Sequence, residues 1–281
     1  MTPWFTRDSF YVVYFGKRLV LLLLAVSAYC IAVGLAIRWF DIRAIEWGGA
    51  ASLINTLILS LLMSFRNSVA YQRWWEARGL WGQLTNDSRN LAVKLAAFLP
   101  PDVLARSGVV ALLTGFAESL KRHLRDEKPR LRDLPGFENE AAEPPHLPVY
   151  LAGRLFALVA EWKRAGQVDQ GVLWILDRHL VGFLDVCGGC EKIRSTPLSP
   201  SYKSLLRTGL VLNVLAEPWL TMPEIGYWAL PIFLLVCLFL FGVELLDSII
   251  EQPFGPERDD LDLDRYCRTI HEGVEAALPS A

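Results

Sequence analysis

Apolar and charged positions alternate along the chain in long blocks. Four stretches are mostly apolar: residues 19–37, 48–65, 205–221 and 225–243. The first contains no charged residue and has about the length that a helix needs to cross ~30 Å of hydrocarbon. The third holds Arg207, Asn213 and Glu217, and such groups in a membrane segment usually face protein or water. The pattern predicts four transmembrane helices. The alternative is that these stretches are apolar core helices of a soluble protein. For the third stretch, a helix at the membrane edge is a further alternative.

The second apolar stretch continues into a charged one as a single predicted helix over residues 47–92. In its apolar part, two stripes run side by side at a spacing of four residues, which places each stripe on one helix face. The bulky stripe is Leu53, Leu57, Leu61 and Phe65, and the small polar stripe is Ser52, Thr56, Ser60 and Ser64. Small residues let membrane helices approach closely, and their hydroxyls can bond across the contact. A helix that packs through the polar stripe would leave the bulky stripe facing a shared axis.

Residues 79–200 have the pattern of amphipathic helices that face water. Pro100 stops the long helix, and a further helix begins directly after it. The stretch 129–148 contains five prolines and is predicted to be a loop. Two more amphipathic helices are predicted at 150–164 and 168–194. The sequence therefore predicts an all-α membrane protein with a helical cytosolic region.

Basic residues indicate the orientation of these helices. Lys and Arg are concentrated in the N-terminal segment, in residues 66–202 and in the C-terminal segment, whereas the turn predicted at 217–224 has none. The positive-inside rule therefore places both termini of this multi-pass chain in the cytoplasm, with the inner (plasma) membrane as its location. The predicted parts are 1–65, with an interfacial segment and the first two transmembrane helices; 66–202, the cytosolic helical region; 203–248, with the third and fourth transmembrane helices; and 249–281, a cytosolic acidic segment.

Composition agrees with a membrane protein that has a substantial aqueous part. Hydrophobic residues make up 53% of the chain and charged residues 21%. The net charge of -2 does not indicate nucleic acid as a partner. We expect the lipid bilayer to surround the apolar blocks.

No catalytic arrangement is recognisable. The chain has four histidines, which are His123, His146, His179 and His271. They are scattered, and no motif places a serine or cysteine beside any of them, so each is interpreted as a surface or packing histidine. Cys187 and Cys190 have the spacing of a redox or metal pair, but a second pair is missing, which favours a structural role. We expect a protein that is not an enzyme and that needs no cofactor.

Two motifs are distinctive. The first has Phe-Arg-Asn-Ser at 65–68, Arg-Trp-Trp-Glu at 73–76 and Ser-Arg-Asn-Leu at 88–91. The second is Glu-Gln-Pro-Phe-Gly at 251–255, followed by acidic residues. In this order, and with a membrane-like pattern around each, they resemble the signature of the bestrophin family, and most closely that of its bacterial members. The resemblance covers nearly the whole chain and is weakest over residues 95–170.

The resemblance implies a homopentameric ion channel. In bestrophins the second helix lines a narrow apolar neck, which leads to a cytosolic vestibule and a second, lower constriction. The neck positions correspond to Leu57, Leu61 and Phe65, which also lie in the bulky stripe. Rings of such residues gate by dewetting and carry no charge with which to select ions. The lower constriction corresponds to Ile175.

The sign of the conducted ion depends on charges beyond the neck. Asp177, Asp185 and Glu191 follow Ile175 on one predicted helix and are candidates for negative rings in the vestibule, although charges on a solvated face are the alternative. From these acids we expect a preference for monovalent cations such as Na⁺ or K⁺. A chloride or other anion channel of the same fold is the first alternative. A membrane scaffold or sensor that does not conduct is the second.

The acidic residues after the second motif raise the question of calcium. Animal bestrophins hold calcium in a clasp in this region, and Glu257 and Asp260 are the candidate ligands here. Pro256 and Arg258 interrupt the run of consecutive acids that the animal proteins have. Calcium is therefore the only cofactor that the resemblance brings into consideration.

Overall fold

The computed structural model describes residues 9–43, 48–100, 106–128, 130–256 and 260–278, with side chains from residue 16 onward. All regular structure in these ranges is helical. The α-helices are α1 (Ser9–Trp39), α2 (Gly48–Phe98), α3 (Arg106–Leu124), α4 (Leu147–Arg164), α5 (Gln170–Ser195), α6 (Pro200–Ile225), α7 (Ala229–Ile250) and α8 (Leu263–Ala277). Short 3₁₀ turns lie at Leu131–Asp133 and Gly226–Trp228. The prediction of an all-α protein is confirmed.

The chain divides into two compact units, and the 51-residue helix α2 belongs to both. The first unit comprises Met1–Gln72 and Leu198–Glu251, and the second comprises Arg73–Pro197 and Gln252–Ala281. Each unit has its own cluster of buried apolar side chains.

The first unit consists of α1, the first half of α2, α6 and α7. Its core joins residues from all four helices: Val26, Cys30, Val33, Leu59, Met63, Leu210, Phe233 and Cys237. Helices α6 and α7 form an antiparallel hairpin around the Gly226–Trp228 turn, and Arg207 near the start of α6 bonds to Glu244 near the end of α7 at 3.0 Å. Within the described residues, three helical stretches are long and apolar enough to cross a membrane: Gly16–Trp39, Gly48–Phe98 and Pro200–Ile250.

The turn predicted at 217–224 is wrong, because α6 continues to Ile225 with Pro218 and Pro223 inside it. Proline removes a backbone donor, but membrane helices tolerate it where other groups bond the neighbouring carbonyls. Here the Tyr29 hydroxyl of α1 donates at 2.7 Å to the Leu215 carbonyl, which lies in the helical turn before Pro218. The chain reverses instead at Gly226, whose φ of 62° suits a residue without a Cβ.

The second unit packs α3, α4, α5 and α8 with the second half of α2. Phe116 of α3 and Phe183 of α5 meet edge to face with ring centroids 4.9 Å apart. Two glycines of α5 allow it to lie close to α2, since the Asp87 carboxylate lies against Gly182 and a Cβ at Gly189 would come within 2.9 Å of Leu80. The second glycine explains part of the Cys-Gly-Gly-Cys sequence as a packing feature.

Helix α8 lies in the segment that was predicted only as acidic. The Asp262 carboxylate caps it by accepting from the Arg265 amide at 2.9 Å. Ile270 and Val274 are buried at helical spacing, and Asp264 pairs with Lys121 of α3 at 2.8 Å. The acids of this segment therefore serve partly to attach α8 to α3.

Candidate functional site

The bulky stripe of α2 is exposed in the single chain. Leu57, Leu61 and Phe65 are 71%, 56% and 58% accessible. The opposite side of the same segment is buried, with Leu59 and Met63 in the core of the first unit. Large apolar side chains aligned on one face, outside the core, need a lipid or protein partner.

The polar stripe of α2 contacts a buried carboxylate on α6. The hydroxyls of Ser52 and Thr56 donate to the two oxygens of Glu217 at 2.6 and 3.1 Å. Glu217 is buried, and Asn213, one turn earlier, approaches it at 3.5 Å. Ser60 and Ser64, further along the stripe, are exposed. Ser52 and Thr56 therefore hold one side of α2 against α6.

A buried arginine fixes α2 on the same side, near the end of the apolar stripe. Arg66 forms an ion pair with Glu244 of α7, and its Nε lies 3.9 Å from Asp247. Glu244 also accepts from Arg207 of α6. Arg66 and Asp247 are each 1% exposed, so their charges interact in a low dielectric.

The candidate lower constriction and two of the vestibule acids lie on an accessible face of α5. Ile175 is 42% exposed, and Asp177 and Asp185 are also exposed. Asp185 lines an open cleft of about 1020 Å³ together with Arg78, Lys94 and Arg178. The surroundings of Asp185 are therefore more basic than the sequence suggested.

The third vestibule acid, Glu191, is bound to two histidines that sequence reasoning had separated. Its Oε1 lies 2.9 Å from Nε2 of His123 and 2.6 Å from Nε2 of His146. Burial opposes ionisation of Glu191, but its hydrogen bonds and charge interactions with His146 and His123 outweigh burial and lower its pKa. No signal could have grouped these residues, because 23 and 45 positions separate His146 from the other two.

The other two histidines have separate partners. His179 is buried between Lys94 and Asp87, at 2.6 and 2.8 Å. His271 is exposed and lies 3.3 Å from Glu275 on α8.

Cys187 and Cys190 are buried on α5 and are not joined by a disulfide. Burial, followed by the nearby charge of Glu191, raises the pKa of Cys187 to about 12, and burial also raises that of Cys190. Both groups are therefore neutral thiols at physiological pH, which agrees with a structural role.

We expect both thiols to resist labelling in the native protein. The thiolate is the reactive form, so at pH 8 a thiol-specific disulfide reagent should modify them roughly a thousandfold more slowly than an exposed cysteine. Peptide mass spectrometry after labelling measures this directly. A Gly188→Cys variant is the matched control, because Gly188 lies between them with open space at its Cβ. Rapid labelling of Cys187 or Cys190 in folded protein would instead support a redox role.

The candidate calcium segment is only partly described. Glu257 lies outside the described residues. Asp260 is buried, and its carboxylate lies against Gly255. The neighbouring acids have other roles, since Asp262 caps α8 and Asp264 binds Lys121. The described part of this segment shows no converging set of carboxylates, so calcium binding by Glu257 and Asp260 stays a prediction.

Comparison with known proteins decides the family. The family described as "Bacterial/Fungal Bestrophin protein" matches residues 13–276. The chain belongs to the bestrophin family. Because bestrophins are ion channels, the chain is a channel protein and not an enzyme, as the sequence predicted.

Named relatives and solved structures agree with this assignment. A voltage-dependent anion channel-forming protein of Mesorhizobium japonicum is 32% identical over 87% of this bestrophin and 80% of its own length. A voltage-dependent anion channel-forming protein of Ralstonia nicotianae is also 32% identical, over 87% of this chain and 81% of its own length. The crystal structure of a bestrophin homologue from Klebsiella pneumoniae, at 24% identity, has a TM-score of 0.86 and covers 93% of this chain and 99% of its own.

Proposed function

We propose that five copies of this chain form a channel that passes monovalent anions, chloride among them, through a hydrophobic neck. Leu57, Leu61 and Phe65 would each contribute one ring to that neck. The observation that carries the proposal is the similarity, at 32% identity over most of the chain, to proteins named as anion channel-forming. The expectation of cation conduction from the sequence is therefore replaced by its first alternative.

The charges on α5 also weaken the argument for cations. Glu191 is bonded to two histidines, so it is not a free negative charge that would face a permeating ion. Asp185 and Asp87 share their cleft with three basic side chains, and Asp177 is followed by the exposed Arg178. Local potential depends on the sum of such charges, and this sum does not favour cations.

The four helices of the first unit, α1, α2, α6 and α7, would be the four transmembrane spans, with both termini in the cytoplasm. The α6–α7 hairpin has a turn with no basic residue at Gly226–Trp228, whereas Lys203 and Arg207 lie near the opposite end of α6. The positive-inside rule favours the cytoplasm for the basic end. The proposed location is the inner membrane.

The neck assignment rests on the two sides of α2. Ser52, Thr56 and Arg66 bond to other helices of the same unit, and the bulky stripe is left unpartnered on another face. In a ring of five chains, this face would meet its copies around the axis and form a narrow apolar passage.

The reversal potential of the purified protein tests the ion selectivity. In planar bilayers with a tenfold KCl gradient, the current should reverse near the chloride equilibrium potential. A tenfold gradient is worth about 1.4 kcal/mol, and ~2.3 kcal/mol per charge corresponds to 100 mV, so this potential lies about 59 mV from zero. Native mass spectrometry of the same sample should show a pentamer. Reversal near the potassium potential would overturn the anion proposal. The absence of current from a folded pentamer would favour the non-conducting scaffold.

A further inference from the structure

We propose that His123, His146 and Glu191 form a binding site for a divalent transition-metal ion of the zinc class, built between α3, α4 and α5. This site lies in the second unit and shares no residue with the candidate neck or with the candidate calcium segment. The inference does not depend on which ion the channel conducts.

The ligand atoms already converge. One atom from each of the three side chains lies within 4.8 Å of the other two. Tetrahedral zinc, with bonds of about 2.0–2.1 Å, places its ligand atoms about 3.3 Å apart. The present distances of 2.9 and 2.6 Å from Glu191 to the imidazoles would therefore open by about half an ångström, which small side-chain rotations supply.

The donor set selects the class of ion. Two imidazole nitrogens and one carboxylate oxygen suit Zn²⁺ and its transition-metal neighbours, whereas Ca²⁺ and Mg²⁺ require oxygen ligands. The three side chains are 32%, 34% and 36% exposed, so water can occupy a fourth position. Cys187 lies one turn before Glu191 with its Sγ 3.7 Å from Oε1, which puts a thiol beside the same position.

The protein holds two of the ligands in place through their backbones. Arg194 of α5, three residues after Glu191, donates to the His123 carbonyl at 2.8 Å and so attaches the end of α3 to α5. His146 is the N-cap of α4, and Pro148 fixes the first turn of that helix. Preorganised ligands lose less entropy when an ion binds.

Ion binding changes the cap contact of His146 in addition to its contact with Glu191. Nδ1 of His146 accepts a hydrogen bond from the Val149 amide at 3.3 Å, which places the ring proton on Nε2. A metal at Nε2 requires that proton to leave Nε2, and a neutral imidazole then carries its proton on Nδ1. The long cap bond is given up, and the charge attraction between the ion and the Glu191 carboxylate replaces it.

Isothermal titration of the full-length protein with ZnCl₂ tests the site. The protein is purified in detergent, its polyhistidine tag is removed because that tag binds zinc, and it is stripped with EDTA. We expect one Zn²⁺ per chain, and at least tenfold weaker binding in His123→Gln, Glu191→Gln and His146→Asn. Asparagine at position 146 keeps an N-cap acceptor, so this variant removes the metal ligand without removing the cap.

His271→Gln is the matched control, because His271 also lies beside a glutamate but has no second histidine. It should bind zinc like the wild type. X-ray absorption at the zinc edge should show two histidine nitrogens per ion in the wild type and one in His146→Asn.

Three results would overturn the proposal: no zinc binding by the folded wild type, binding that all three ligand variants leave unchanged, or an equal loss in His271→Gln. Elution volume and melting temperature without metal establish that each variant is folded. The near-isosteric Glu191→Gln supplies the test if a histidine variant is not folded. Selectivity measurements on the same preparation give a separate answer, so the failure of one proposal is not read as failure of the other.

Discussion

Replacing Leu57 with alanine should raise the single-channel conductance by roughly severalfold, because a wider and less apolar neck holds water more readily. The same change at Phe65 should act in the same direction, since Phe65 is the largest side chain of the three neck candidates. The reversal potential should stay nearly constant in both variants, because the proposed rings carry no charge. Single-channel recording in symmetric KCl, followed by a KCl gradient, measures both quantities.

Ile58 provides the matched control for this experiment. It follows Leu57 directly, is also exposed at 53%, and lies about 100° further round the helix. Ile58→Ala removes a similar volume at the same depth and should leave the conductance unchanged. Equal effects at positions 57 and 58 would mean that the neck does not follow the bulky stripe. No effect at Leu57 or at Phe65 would place the limiting constriction elsewhere.

Replacing Arg66 with methionine should cause the largest loss of stability among single substitutions in the first unit. Removing one partner of a buried ion pair costs about 3–5 kcal/mol, because the remaining charge is buried without compensation. Here Asp247 would be left buried beside Glu244, which would keep its bond to Arg207. The melting temperature of the detergent-purified protein, followed by tryptophan fluorescence, should fall by roughly 10 °C.

Arg207→Met is the corresponding control, since Arg207 bonds to the same Glu244 but is 61% exposed. An exposed pair is worth about 0–1 kcal/mol, so this variant should melt close to the wild type. Adding Glu244→Gln and Asp247→Asn to Arg66→Met should recover most of the stability, because the unpaired charges are then removed. Similar melting temperatures for Arg66→Met and Arg207→Met would show that burial of Arg66 is unimportant.

Most of the fold could be predicted because its signals are local. The long apolar runs predicted α1 and the first half of α2, and Pro100 predicted where α2 ends. Helix α8 was missed although its pattern is strong. Leu263, Ile270 and Val274 recur at helical spacing after an Asp262 cap, but the acidic residues before them also have the composition of a calcium-binding segment.

The turn and the histidine cluster show two reasons why local signals fail. Pro218 and Pro223 predict the end of a helix, but α6 continues through both, and the Tyr29 hydroxyl of α1 bonds to the Leu215 carbonyl in the turn before Pro218. His123 and Glu191 resemble ordinary polar residues of the amphipathic helices α3 and α5, and His146, the N-cap of α4, resembles an ordinary loop residue. Only the packing of α3, α4 and α5 brings them together.

The bonds of α2 limit the movements by which the proposed channel could open. Ser52 and Thr56 are held by Glu217, and Arg66, about four turns away on nearly the same side, is held by Glu244. Rolling of α2 about its own axis would break both attachments at once. A change in the bore would then come from radial displacement of the α1, α2, α6 and α7 assembly as one piece, or from rotamer changes of Leu57, Leu61 and Phe65. A pair of cysteine cross-links that locks α2 to α6 should therefore still permit gating.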